Sequence, residues 1–81
     1  MLTNDIKKGM RIKLAYTGWE AIMQDNLKGN TRMAEVFGWE HETGSVYSHD
    51  ITHCKPTPES AWVKVEHTPA QLKLKALVEA M

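Results

Sequence analysis

The stretch Thr17-Gly18-Trp19-Glu20-Ala21-Ile22-Met23-Gln24-Asp25-Asn26-Leu27-Lys28-Gly29-Asn30-Thr31-Arg32-Met33-Ala34-Glu35-Val36-Phe37-Gly38 decides the fold. Two readings compete over its first half. Thr17 followed by Glu20 has the form of a capping box, Glu20 to Gln24 are good helix formers, and Lys28-Gly29 would stop a helix. The other reading is a hairpin. If Leu27 to Asn30 form a four-residue loop, Ala21 faces Val36, Met23 faces Ala34, Asp25 faces Arg32, and Trp19 covers Gly38. Apolar residues then meet apolar residues and an acid meets a base. Helix propensity is a weak prior against such pairing, so we favour strands. Residues 18–27 taken alone leave both readings open.

The same pairing logic extends in both directions. A turn centred near His41, framed by Gly38 and Gly44, would set Val36 opposite Val46, Ala34 opposite Ser48 and Arg32 opposite Asp50, leaving Arg32 between two aspartates. Upstream, Met10-Arg11-Ile12-Lys13-Leu14 alternates apolar and basic residues after Gly9, the pattern of a half-buried strand. Downstream, His49 to Cys54 read as strand, and Lys55-Pro56-Thr57-Pro58-Glu59-Ser60 as a loop, because Pro lacks the ladder donor. Ala61 to Val65 form a short last strand. The C-terminal segment, 69–81, is a helix: Thr68 is its N-cap, Pro69 its first residue, and Gln71 completes a capping box. Leu74, Leu77, Val78 and Met81 form its apolar stripe, and Leu72 falls off it.

A chain of 81 residues is one domain, 1–81. At this size about 60% of the unfolded surface is buried, which leaves little room for a deep active site. Lys plus Arg number 10 and Asp plus Glu number 10, so the formal net charge is zero, which argues against binding driven by bulk charge. The charge is unevenly placed: residues 1–14 carry a local +3, residues 15–63 a local −4. A single cysteine, Cys54, excludes an intrachain disulfide and suits a reducing compartment. No apolar run nears the roughly 18 residues of a membrane span, and the first residues lack signal-peptide blocks. The expected location is cytoplasmic.

The segment Ile6-Lys7-Lys8-Gly9-Met10-Arg11-Ile12-Lys13-Leu14 resembles the first strand of small SH3-like barrels, including the KOW type. That resemblance implies a mainly β fold, a small SH3-like barrel of about five antiparallel strands with a C-terminal α-helix. Asp25 to Arg32 and Gly44 to Ile51 are also similar to stretches of small bacterial and phage proteins that carry no known activity.

Catalytic and metal chemistry find little support. On a strand, His49 and His53 would lie roughly 13 Å apart, too far to share a zinc ion, and Asp50 and Cys54 would face the other side. His53 and Cys54, as strand neighbours, also point apart. We therefore expect no enzyme, no metal and no cofactor. The expected role is a small binding or adaptor module acting on a protein partner or on a second copy of itself. Its candidate surface is Trp39, Tyr47, His49, Arg32 and Lys28. Trp39 stands between turn glycines, where an aromatic has little core to join and suits an interface. Tyr47 and His49 share a face with Ile51 beside Met33 and Phe37. The alternative is a KOW-like nucleic-acid binder using Lys7, Lys8, Arg11, Lys13, Lys28 and Arg32 on phosphates, with Trp19, Trp39 or Tyr47 stacking on bases.

Overall fold

In the computed structural model, residues 1–25 and 29–81 are described. Among them the chain forms six strands and one α-helix: β1 (Arg11–Leu14), β2 (Glu20–Asp25), β3 (Thr31–Phe37), β4 (His41–Tyr47), β5 (Ile51–Lys55), β6 (Val63–Lys64) and α1 (Pro69–Glu79). The sheet is antiparallel, with order β4-β3-β2-β1-β5-β6.

Residues 20–25 are strand. Ala21 pairs with Val36 and Met23 with Ala34, as apolar complementarity requires. Trp19 lies against Gly38 so closely that any Cβ there would run into the indole. The register slips after Met23, so Asp25 faces Met33 instead of Arg32. The loop expected at Leu27 to Asn30 falls in part on residues 26–28, which lie outside the described residues. Gly29, which closes that turn, has φ +122, a conformation that favours glycine.

The next hairpin departs from the expected register by four residues. The turn is Gly38 to Glu40, and β4 begins at His41, so Val36 faces Glu42 and Arg32 faces Val46. Gly44 is a strand residue opposite Ala34, not a turn. Arg32 therefore does not sit between two aspartates. Asp50 instead accepts the Tyr16 amide on Oδ1 at 3.0 Å.

The expected run of strand through His49 is broken by a 3-10 turn, Ser48–Asp50, which divides it into β4 and β5. Here the sequence expectation of about five strands becomes six. The turn has a geometric consequence. Tyr47 and Ile51 are four residues apart, at most about 14 Å of chain. In a flat sheet β4 and β5 would be about 19 Å apart. The sheet must therefore curl until the end of β4 approaches β1. Two bonds hold that closure: Ser48 N donates to Asn30 O at 2.9 Å, and Ala15 N donates to Asp50 O at 2.8 Å. Yet β4 pairs only with β3, and β6 only with β5. Among the described residues this is a curled open sheet, not a closed five-strand barrel.

The concave face is the core: Ile12, Leu14, Ala21, Met23, Ala34, Ile51 and Cys54, joined by Ile6 and Val65. The helix begins as its cap predicts, with Gln71 N donating to Thr68 Oγ1 and Thr68 N donating to Gln71 Oε1. Its buried side differs from the apolar stripe. Gln71 is buried and Leu74 and Val78 half-buried, whereas Leu77 and Met81 are exposed. The cap decides this, because Gln71 is drawn inward, where Thr3 also donates to it. No helix among the described residues is long and apolar enough to cross a membrane.

Candidate functional site

Alternation on β1 sends Ile12 and Leu14 inward and Arg11 and Lys13 to the convex face. Register then decides what joins them. Across β1 and β5, Arg11 stands opposite Lys55 and Lys13 opposite His53. Across β5 and β6, His53 stands opposite Lys64. The convex face of these three strands is thus a grid of Arg11, Lys13, His53, Lys55 and Lys64. Trp62, just before β6, lies among them: Lys13 Nζ is 4.4 Å and Lys55 Nζ 5.4 Å from its ring centroid. Arg11 lies over the Phe37 ring at 4.9 Å and bonds Glu20 at 3.2 Å, an exposed pair of small energetic weight.

A groove of about 620 Å³ continues this surface. The turn Lys7-Lys8-Gly9 forms one wall and Pro56-Thr57-Pro58 the other, with Met10 and Ile22 between and Arg11 and Lys55 shared with the grid. Among the described residues no carboxylate lines it. The charge of the folded molecule is largely segregated, with Glu20 of β2, opposite Lys13 and bonded to Arg11, at the border of the basic side. The 7–9 turn and β1, β5 and β6 carry Lys7, Lys8, Arg11, Lys13, Lys55 and Lys64 and no acid; β3, β4 and their turn carry Glu35, Glu40 and Glu42, and their one cation, Arg32, is buried.

The residues singled out from sequence do not gather into one surface. Trp39 is 94% exposed at the β3–β4 turn. Tyr47 ends β4 at the opposite end of that hairpin, about 20 Å away by strand rise. It is half-exposed and stacks on His49 at 4.9 Å. His49 is not on a strand but in the 3-10 turn, where it is buried and its Nδ1 finds no hydrogen-bond partner among the described residues. Arg32 is 1% exposed on the concave side and donates to Asn4 Oδ1 at 2.6 Å, Thr31 O at 2.8 Å and Gly29 O at 3.1 Å. Lys28 lies outside the described residues. Of the expected stacking residues, Trp19 is occupied against Gly38.

Sequence reasoning found Arg11 and Lys13 and missed Lys55, Trp62 and Lys64. The signal was present in part, since His53-Cys54-Lys55 and Trp62-Val63-Lys64 both alternate about an apolar residue. What local pattern does not contain is that β5 docks on β1.

Burial pushes the Cys54 thiol up, disfavouring a thiolate, and its Sγ lies 3.8 Å from Met10 Sδ. Burial holds His67 below the usual imidazole range, with His49 and Lys75 adding like-charge repulsion. Among the described residues no three of His, Cys, Asp and Glu cluster as a metal site would require. No protein-family model, curated protein or solved structure matches this chain.

Proposed function

We propose that this protein is a small single-stranded nucleic-acid-binding module whose binding surface is the convex face of β1, β5 and β6. The observation that carries this reading is the like-charge register. Arg11 opposite Lys55 is a cross-strand pair of two cations, an arrangement that costs stability. A fold that keeps such a pair on an open face, with Lys13, Lys64, Lys7 and Lys8 around it, is organised to receive a polyanion. Trp62 in the middle of the cations adds a surface on which a base can stack. Single strands suit it better than duplex. A duplex hides the faces of its bases, and among the described residues β1, β5 and β6 offer a sheet face and not a helix to enter a groove. Zero net charge is no obstacle, because it is the sum of a basic pole and an acidic one. The resemblance of residues 6–14 to KOW-type SH3-like barrels belongs to the same proposal. It is supported by the 3-10 turn that returns β5 to β1 and curls the sheet.

Fluorescence anisotropy with labelled single- and double-stranded DNA and RNA tests it. With about five phosphate contacts, single-strand affinity falls on the order of 10²-fold between about 50 and 200 mM salt. Binding to duplex is weaker. Absence of binding to any single strand at the lower salt would end the proposal.

A further inference from the structure

We infer that the acidic β3–β4 turn of one molecule seats in the basic groove of a second copy, so that the chain self-associates head to tail. This does not rest on the nucleic-acid reading. Trp39 projects from a turn of three residues, 94% exposed, and that turn is braced by the Trp19 indole against Gly38. Glu40 and Glu42 flank it, with no ion pair to either among the described residues, and share a cleft of about 220 Å³ with the two indoles. An exposed Trp ringed by uncompensated carboxylates calls for a cationic site with an apolar floor.

The groove between Lys7-Lys8-Gly9 and Pro56-Thr57-Pro58 has that chemistry: its lining combines apolar Met10, Ile22 and two prolines with the cations Lys7, Lys8, Arg11 and Lys55. Its 620 Å³ is ample for an indole. Within one molecule none of the turn residues lines the groove, although Arg11 at its edge reaches the Phe37 ring. The turn lies beyond the Glu20 end of β2, where Phe37 pairs, while the groove lies at the other end, where Gly9 N donates to Met23 O. The hairpin between them is paired along its length and cannot fold back. The partner is therefore another copy, and because each copy offers one turn and one groove, the contact is heterologous and can propagate.

Sedimentation velocity over a concentration series, at low and high salt, tests this with two variants, Trp39→Ala and the double substitution Lys7→Glu with Lys8→Glu, each checked for native circular dichroism. The wild type is expected to sediment as salt-sensitive species larger than the monomer, growing with concentration. Each variant alone remains monomeric. Mixed together, one intact turn meets one intact groove, giving a 1:1 heterodimer and nothing larger. A wild type monomeric at every concentration, or Trp39→Ala assembling like wild type, overturns the inference. Trp39→Ala leaves Lys7, Lys8, Arg11 and Lys55 in place and frees the groove, so its oligonucleotide affinity is expected not to fall; the nucleic-acid reading can therefore fail while the sedimentation result stands, and the reverse.

Discussion

The two ends of the β3–β4 hairpin invert the ordinary rule of burial. At one end Arg32, Ser48 and His49 are polar and buried; at the other Trp39 is apolar and almost fully exposed. The buried polar end is architectural. Ser48 reaches Gly29 O and Asn30 O, Arg32 ties Asn4 to Thr31 and Gly29, and together they clasp the curled sheet. The exposed apolar end holds nothing together beyond its own turn. The difference teaches that in this molecule polarity marks the scaffold and exposure of an aromatic marks contact, so mutational effects should separate cleanly.

Arg32→Ala attacks the clasp, leaving a cavity and carbonyl and amide acceptors without their donor. It should cost about 3 kcal/mol in chemical denaturation, and a loss below about 1 kcal/mol would mean the clasp is not structural. Lys55→Glu tests the convex face, where stability and binding should move in opposite directions. Replacing a cation opposite Arg11 with an anion should stabilise by about 0.2 to 1 kcal/mol, while oligonucleotide affinity falls and its salt slope shrinks. If the variant instead loses stability and keeps affinity, the grid is architecture. Trp39→Ala should change the unfolding free energy by no more than about 0.5 kcal/mol, as a surface change does. A larger loss would erase the contrast between the two ends.

Much of this was readable from sequence wherever neighbours along the chain pair with one another. The pairing of Ala21 with Val36 and of Met23 with Ala34, the lodging of Trp19 on Gly38 and the Thr68 cap were all legible. Misreadings began where a residue type serves two purposes. Gly44 looks like a turn but is a strand residue paired with Ala34, where a side chain would meet only open space. Ser48-His49-Asp50 contains neither Gly nor Pro, so the break in the strand carried only the weak signal of side chains that bond backbone locally. Leu77 fits an apolar period, yet a buried Gln71 turns the helix and leaves Leu77 at 58% exposure. The candidate site failed for a different reason. Arg11 and Lys13 announce themselves by alternation, but their joining to Lys55, Trp62 and Lys64 depends on a pairing between residues about forty positions apart.

The register of β5 on β1 also bears on the order of events expected during folding. Strands β2, β3 and β4 follow one another by turns and can zip locally, whereas docking β5 on β1 closes a long loop and brings Arg11 against Lys55. The slow step therefore carries an electrostatic barrier that dissolved ions lower. A refolding rate that rises with ionic strength in stopped-flow tryptophan fluorescence is the expected trace, and a rate indifferent to salt would place the docking of β5 after the barrier. The cations arrayed for a ligand are the ones that resist the final closure of the chain.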